Sequence, residues 1–278
     1  MPRTFAVTLA LAATALAVLA PSPARSEAQG GAVRIVVLKE HGVGSPVLAQ
    51  PYLDRFVAFA AKENGWADAQ GRYYTLRAAA EQFIAAEKPH YGIFSLAPFL
   101  ALRGRYKLEV IGQVAVKLVG GRQYYMISKS ATSLASCKGK TLASDHVDDP
   151  RFVERVVADG AFRLADYTLV QTQRPLQTTK KVLADEAVCA LVDDAQVAEL
   201  PHLEGADQVR TVWTSAELPP MVVVAFPAAP AAERKRFQGS LGTLCASEAK
   251  GACDEVGIVS LKASDAADYA AAIRAYGE

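Results

Sequence analysis

Short apolar runs alternate with longer segments of helical spacing along most of this chain. The run at residues 33–38 (VRIVVL) is almost continuously apolar, as is typical of a strand buried on both faces of a parallel sheet. A helix is expected after it, because Ser45 can cap a helix that has Pro46 in its first turn. This alternation predicts a doubly wound α/β unit. Further strands of the unit are expected at residues 73–76, 91–94 and 108–119.

The same alternation restarts near residue 123 and predicts a second α/β unit. Asp149 followed by Pro150 marks the beginning of one of its helices. The C-terminal remainder is expected to be mostly helical, over residues 231–246 and 263–276. The later strands are expected at residues 123–128, 139–144, 167–171, 187–192, 209–213 and 221–226.

Two α/β units of similar size, without a low-complexity linker, predict two lobes that pack against each other. The chain would cross between them twice, near residues 121–128 and 221–226, which gives a two-strand hinge. Ligand sites are expected in the cleft between such lobes, outside the carboxyl ends of the strands. The predicted boundaries are residues 32–121 plus 222–278 for lobe 1 and residues 122–221 for lobe 2.

The first residues have the pattern of a cleavable secretory signal. Arg3 precedes an apolar stretch at residues 5–20, and small residues follow at the positions that a signal peptidase needs. We expect cleavage after Ser26 or Ala28 and assign residues 1–26 to the signal peptide. A membrane anchor is the alternative, but the stretch is shorter than the roughly 20 residues that span a bilayer. The predicted location is the periplasm.

The charge of the chain is close to balanced. The 278 residues carry 30 Lys and Arg against 29 Asp and Glu, and removal of Arg3 and Arg25 with the leader leaves 28 basic residues against 29 acidic ones. A nucleic-acid-binding protein usually has a basic excess, so no nucleic-acid partner is expected. Ligand choice must therefore depend on local geometry.

Four cysteines in an exported protein predict structural disulfides. Three pairings are possible. Cys245 and Cys253 flank a polar, turn-forming segment, which favours a local bridge, and Cys137 would then pair with Cys189 over a longer distance. The chain has no Cys-x-x-Cys cluster, so we predict no metal centre built on cysteine.

Motifs of enzyme active sites are missing from the sequence. It has no G-x-S-x-G, H-E-x-x-H or P-loop pattern, and Gly42-Val43-Gly44 alone is a weak phosphate-loop signal. We predict a protein that is not an enzyme and that has no cofactor and no metal.

Five segments, taken in order, resemble a known family. The set is similar to the periplasmic substrate-binding proteins of ABC transporters, in particular the phosphate- and phosphonate-binding group. The resemblance implies a type II periplasmic binding fold, two lobes that close on a ligand, and no catalytic activity. The segments are YGIFSLAPFLAL (91–102), SCKGKTLAS (136–144), DEAVCALVDDAQ (185–196), VWTSAELPP (212–220) and DEVGIVSLKASDAADYAAAI (254–273).

The loop after residues 139–144 departs from that family. Relatives commonly place small hydroxyl residues there, which hold an anionic head group at a helix N-terminus. Here the loop contains Asp145, His146, Asp148 and Asp149, whose carboxylates would repel phosphonate. Asp145, His146 and Asp148 are therefore candidate contacts to a cationic or amine-bearing ligand, or to a divalent metal. The alternative is a capping Asp149 among ordinary solvated loop residues.

Five further residues are candidate ligand contacts. His41 follows the first strand at the expected cleft, although an ordinary surface histidine explains it as well. Ser95 and Leu96 begin the helix after the third strand, where the family resemblance implies a contact and a plain helix cap is the alternative. Tyr124 alternates with a neighbouring tyrosine across a crossing strand, so one of them should face the cleft. Asp193 ends an apolar strand and is either a helix cap or a ligand contact.

The leading hypothesis is an exported solute-binding protein that captures a small ligand between its lobes and delivers it to an ABC-type membrane permease. Closure would couple ligand affinity to the surface that the permease recognises. The alternative is a periplasmic sensing or accessory protein that docks on a membrane receptor or sensor kinase. We expect a monomer.

Overall fold

The computed structural model describes Met1 and residues 32–41, 46–117, 120–246 and 248–277. The predicted signal peptide, apart from Met1, lies outside the described residues, as do the predicted helix cap Ser45 and the glycine pair before it. Among the residues that are described, no helix is long and apolar enough to cross a membrane.

The first sheet has six strands in the order β11-β4-β10-β3-β1-β2. β1 pairs in parallel with β2 and β3, whereas β10 runs antiparallel to both β3 and β4. β1 is central and buried, which explains its nearly continuous apolar sequence. The strands are β1 (Val33–Leu38), β2 (Ala69–Tyr74), β3 (Tyr91–Phe94), β4 (Glu109–Val116), β10 (Met221–Ala225) and β11 (Ile258–Ala263).

The second sheet has five strands in the order β7-β6-β8-β5-β9. β6 is parallel to β7 and β8, and β5 is antiparallel to β8 and β9. The carboxyl ends of β1, β3 and β6 are followed by the loops and helices that form the site described below. The strands are β5 (Tyr124–Ser128), β6 (Thr141–Ser144), β7 (Thr168–Gln171), β8 (Cys189–Asp193) and β9 (Arg210–Thr214).

Helices cover the faces of both sheets. A short helix at residues 150–152 continues as a π-helical turn over Val153–Val157. Its first turn is capped as expected, because the Asp149 carboxylate accepts a hydrogen bond from the backbone N–H of Phe152 at 3.1 Å. The α-helices are α1 (Pro46–Asn64), α2 (Arg77–Glu87), α3 (Leu96–Tyr106), α4 (Leu134–Cys137), α5 (Pro150–Phe152), α6 (Pro175–Leu183), α7 (Asp194–Glu199), α8 (Ala231–Leu244), α9 (Lys250–Glu255) and α10 (Ala270–Tyr276).

Three apolar clusters form the core. One lies between the first sheet and helices α1 and α8, where Trp66, Tyr91 and Phe237 pack against one another. A smaller one lies on one face of the second sheet. The largest cluster contains residues of both sheets, from Leu38 and Phe94 of the first to Met126, Leu142 and Leu191 of the second. Apolar burial therefore joins the two sheets through a continuous core.

The predictions for two strands were wrong. The second strand was expected at residues 73–76 but occupies Ala69–Tyr74. Ile258–Ala263, which was expected to belong to a mostly helical C-terminal remainder, forms strand β11 at the sheet edge. Both are edge strands with little continuous burial, so neither has the apolar pattern that predicts a strand. The strands expected to cross the hinge lie within the sheets. The chain passes from the first sheet to the second between β4 and β5 and returns between β9 and β10, and the described residues of these two crossing segments are 117, 120–123 and 215–220.

The cysteines form two disulfides, which confirms the expectation of two structural bridges. Cys137 pairs with Cys189 across a sequence separation of 52, and Cys245 pairs with Cys253 across a separation of 8. The first joins the end of α4 to the beginning of β8 inside the second sheet's core. The second closes the turn between α8 and α9.

Removal of the longer bridge should cost more stability than removal of the shorter one. In the chain-entropy account, the Cys137→Ala/Cys189→Ala pair lowers the free energy of unfolding by about 4 kcal/mol for a loop of 52 residues. The matched pair Cys245→Ala/Cys253→Ala lowers it by about 2.5 kcal/mol for a loop of 8. Urea denaturation of both double variants measures the difference. An equal or larger loss in the second variant would contradict this account.

Candidate functional site

A small cavity lies where loops from the two sheets meet. Its volume is about 40 Å³. The first sheet contributes the loop after β1 and the beginning of α3, and the second contributes Tyr124 of β5 and the loop after β6. Its described lining includes Lys39, Glu40, His41, Ser95, Leu96, Gly121, Arg122, Tyr124, His146, Asp148 and Asp149.

Asp145 is the most deeply buried carboxylate beside this cavity, with 2% of its surface exposed. One carboxylate oxygen, Oδ1, accepts hydrogen bonds from Thr178 Oγ1 at 2.8 Å and from Gln196 Nε2 at 3.1 Å. The other oxygen, Oδ2, is buried without a hydrogen-bond partner. Burial of an unpaired charged oxygen is unfavourable, so this atom requires a positive or donating group.

His41 approaches the free oxygen from the first sheet. Its Nδ1 lies 3.8 Å from Asp145 Oδ2, and its Nε2 lies 3.4 Å from Asp148 Oδ1. Burial alone would lower the pKa of His41, but the hydrogen bond and charge of Asp148, with the charges of Asp145 and Glu40, outweigh burial and raise the pKa above its ordinary value. The imidazole is thus oriented by Asp148, with Nδ1 towards Asp145. His41 itself adopts a positive φ of 56°.

His146 completes a group of three side chains. Its ring lies 4.6 Å from that of His41 and 5.1 Å from that of Tyr124, in edge-to-face geometry. Its Nε2 lies 3.3 Å from Gln196 Oε1. Burial lowers the pKa of His146, which favours a neutral imidazole. Donor atoms of His41, Asp145 and His146 all lie within 4.8 Å of one another, so these residues could hold a metal ion.

An ion-pair network links the two sheets at one side of the cavity. Arg77 of α2 binds Glu40 through Nε at 2.6 Å and through Nη2 at 2.7 Å, and it binds Asp149 of the second sheet through Nη1 at 3.1 Å. Tyr276 also donates to the Asp149 carboxylate, at 3.3 Å. Burial alone would lower the pKa of Arg77, but its hydrogen bond to Glu40 and the two carboxylate charges raise it. Arg77 therefore pairs with both carboxylates, one from each side of the cavity.

Ser95, Leu96 and Tyr124, which were expected to contact a ligand, all line the cavity. The hydroxyl of Ser95 does not cap α3; it accepts a hydrogen bond from the backbone N–H of Glu40 at 3.3 Å and so ties the loops after β1 and β3 together. Tyr124 is buried, and burial raises the pKa of its phenol well above the ordinary value.

Asp193, which was expected either to cap a helix or to contact a ligand, is a helix cap in the structure. It caps α7, accepting a hydrogen bond from the backbone N–H of Gln196 at 3.0 Å, and its carboxylate packs against Gly120 of the first crossing segment. Gly120 has a φ of 74°, and a side chain there would overlap the carboxylate. The neighbouring Asp194 accepts from the backbone N–H groups of Arg122 and Gln123. The acidic pair therefore fastens the crossing segment to the second sheet.

Several residues of the site were not expected from the sequence, among them Lys39, Glu40, Arg77 and Gln196. Lys39 and Glu40 follow β1 directly, and their position at a strand end was the available signal. Arg77 and Gln196 lie on helices and reach the site only through the tertiary fold. Burial lowers the pKa of Lys39 against the opposing charges of Asp193 and Asp194.

Acidic groups outnumber basic ones around the cavity. The free Oδ2 of Asp145 beside His41 can accept a cation or a hydrogen-bond donor, whereas an anion would meet repulsion. The acidic side chains are Glu40, Asp145, Asp148, Asp149, Asp193 and Asp194, and the basic ones are Lys39, Arg77 and Arg122.

Solved structures with the same fold are binding proteins. A binding protein component of an ABC phosphonate transporter from Pseudomonas aeruginosa is 14% identical, with a TM-score of 0.63 over 85% of this chain and 83% of that one. PhnD1 from Prochlorococcus marinus in complex with methylphosphonate is 9% identical, with a TM-score of 0.63 over 88% and 96%. A Xanthomonas citri protein bound to ATP is 13% identical, with a TM-score of 0.64 over 89% and 99%. At these identities the likeness establishes the fold.

The match to a sequence family assigns the chain more specifically than the likeness in fold does. No curated protein matches the chain. The profile of the family described as ABC transporter, phosphonate, periplasmic substrate-binding protein matches residues 56–269, which is most of the chain. The α/β lobes and the resemblance expected from the sequence are both confirmed. The chain belongs to the phosphonate-type family of periplasmic substrate-binding proteins of ABC transporters, which bind solutes in a type II periplasmic binding fold.

Proposed function

We propose that this protein captures a small, positively charged ligand at the cavity between its sheets and delivers it to the permease of an ABC transporter. The observation that carries the proposal is the free Oδ2 of Asp145, which is buried beside His41 with no donor. The excess of carboxylates around the cavity also favours a positively charged ligand. The related PhnD1 is in complex with methylphosphonate, whose charge is opposite to that of the ligand proposed here.

The proposed lobes are residues 32–121 plus 222–278 and residues 122–221. In this division His41 and Ser95 belong to lobe 1, and Asp145 and His146 belong to lobe 2. A ligand held between Asp145 and His41 gains its full set of contacts only when the lobes are together. Because the ligand binds the closed state more tightly than the open state, it stabilises the closed state. The permease would then recognise the closed form.

Three further properties belong to the same proposal. We infer action by binding rather than by catalysis, export by a cleaved leader at residues 1–26, and a monomer as the working unit. Docking on a receptor or sensor kinase in place of a permease remains the alternative, and co-purification with the membrane proteins of the producing cell distinguishes the two.

Ligand charge is tested by thermal unfolding of the mature protein against two series of compounds. Small amines and divalent cations should raise the melting temperature, whereas inorganic phosphate and methylphosphonate should not, because the cavity is acidic. A ligand at a hundredfold excess over its Kd adds about 2.7 kcal/mol to the free energy of unfolding. Asp145→Asn should abolish the cation effect, and Asp166→Asn, on the surface pair with Lys138, should retain it. Stabilisation by methylphosphonate alone would refute a cationic ligand.

Closure is tested through the ion-pair network. Arg77→Lys removes the bidentate contact to Glu40 and weakens the contact to Asp149 of the other proposed lobe. Each hydrogen bond to a charged group contributes about 1.5–3 kcal/mol to stability. We expect roughly tenfold weaker binding of the best-stabilising cation and a larger radius of gyration by small-angle scattering. Arg105→Lys, which affects only exposed contacts to Glu81 and Tyr106, is the control. Identical behaviour of both variants would contradict a closing role.

Leader removal is tested by expressing the full chain in a bacterium and isolating the periplasmic fraction. Intact mass measurement should give a protein that begins at Glu27, or at Gln29 if cleavage follows Ala28. Recovery of the uncleaved chain in the membrane fraction would instead support the anchor alternative.

A further inference from the structure

We propose that the cation is a divalent transition-metal ion of the zinc class, held by His41 Nδ1, Asp145 Oδ2 and a ring nitrogen of His146. This inference rests on the proposed function, because it names the chemical class of the ligand at the same site. One donor atom from each of these three residues already lies within 4.8 Å of the other two. They come from the loops after β1 and β6, so the ion would connect the two sheets.

The donor set selects the class of metal. Two imidazoles and one carboxylate suit Zn²⁺ and the neighbouring divalent ions Co²⁺, Ni²⁺, Fe²⁺ and Mn²⁺ to differing degrees. Ca²⁺ requires six or more oxygen ligands, and Mg²⁺ prefers an octahedral oxygen shell, so neither matches a group with two nitrogen donors. Both cysteine pairs are in disulfides and offer no thiolate for a softer ion.

The free carboxylate oxygen points to an ion independently of residue type. Asp145 has only 1% of its side chain exposed, and Oδ2 lies 3.8 Å from His41 Nδ1, too far for a hydrogen bond. Tetrahedral ligands about 2.0–2.2 Å from a zinc ion stand about 3.3–3.6 Å apart. A small decrease in the distance between His41 Nδ1 and Asp145 Oδ2 would therefore let both atoms coordinate one ion. The ion would supply the positive charge that Oδ2 lacks.

The surrounding residues orient these donors as outer-shell residues orient metal ligands. Asp148 contacts His41 Nε2 and leaves Nδ1 facing Asp145 Oδ2. Thr178 and Gln196 hold Asp145 Oδ1, which leaves Oδ2 as the free oxygen. His41 and Asp145 thus each present one atom to the gap and use the other polar atom to fix their orientation, and His146 Nε2 lies 3.3 Å from Gln196 Oε1.

Lys39 is the competing explanation for the buried carboxylate, because it is a buried cation near the site. Its Nζ donates to the Glu40 carbonyl at 3.3 Å, and its strongest charge partners are Asp193 and Asp194. Lys39 therefore compensates the acidic pair at the crossing segment and does not hydrogen-bond Asp145 Oδ2.

The size of the cavity favours a metal ion over an amine. A volume of about 40 Å³ accommodates one or a few waters, since each requires roughly 10–15 Å³ in this measure. An ion with a bound water fits this space without moving the sheets apart. An organic amine of several carbon atoms would require the cavity to widen.

The test uses mature protein without a polyhistidine tag, stripped with EDTA and exchanged into phosphate-free buffer. Isothermal titration with Zn²⁺ alone should give one site per chain. Co²⁺ alone should give the intense visible absorption of a low-symmetry, four- or five-coordinate site, which is a spectroscopic signature of ligation. Mg²⁺ and Ca²⁺ should give neither.

Variants assign the binding to the proposed residues. Asp145→Asn and His146→Ala should each weaken Zn²⁺ binding by a hundredfold or more, and Asp148→Asn, which removes only the orienting contact, by about 10- to 100-fold. His202→Ala, at an exposed histidine, should retain the wild-type affinity. Circular dichroism in EDTA checks the fold of each variant, and Asp148→Asn keeps the test valid if a ligand variant does not fold.

The outcomes separate this inference from the proposed function. Zn²⁺ binding that is lost in the Asp145 and His146 variants and kept in His202→Ala supports both. Stabilisation by amines without binding of any transition metal overturns the metal assignment and leaves the cationic ligand standing. Binding of methylphosphonate without any cation overturns both. Zn²⁺ binding that survives all the site variants places the ion elsewhere and also overturns the metal assignment.

Discussion

The carboxylate of Asp145 is the group on which the site depends. Two donors hold one of its oxygens, and the other oxygen is buried without a hydrogen-bond partner, 3.8 Å from His41 Nδ1. A buried charge of this kind is tolerated only if the surrounding fold compensates it or a ligand does. The arrangement therefore favours the binding of a positively charged group at the junction of the two sheets.

The junction exists because both sheets direct strand ends towards it. Parallel strands deliver their following loops to a single edge, so the residues after β1 and β3 come together, and those after β6 meet them from the other side. Arg77 joins Glu40 to Asp149 across the same junction. Ion pairing with Arg77 thus engages Glu40 and Asp149 beside the cavity, whereas Oδ2 of Asp145 has no hydrogen-bond partner.

Much of the architecture could be predicted from local pattern. Buried parallel strands such as β1 have continuous apolar sequences, and Asp149 with Pro150 marks a helix start by cap chemistry that acts within one turn. Edge strands β2 and β11 could not be placed well, because their solvent-exposed faces remove the apolar signal. The pairing of Cys137 with Cys189 was one of three possibilities until the fold joined α4 to β8.

The sequence by itself determined that the chain forms two α/β units, that its cysteines pair, and that a loop rich in acidic residues follows one strand of the second unit. These are consequences of short-range order: periodicity, capping and composition act between residues that are neighbours in the chain. Only the tertiary structure decided which of the acidic residues is free. Arg77, Thr178 and Gln196 are distant from the loop in sequence, and their side chains reach Asp149 and Asp145 only when the helices that carry them pack onto the sheets.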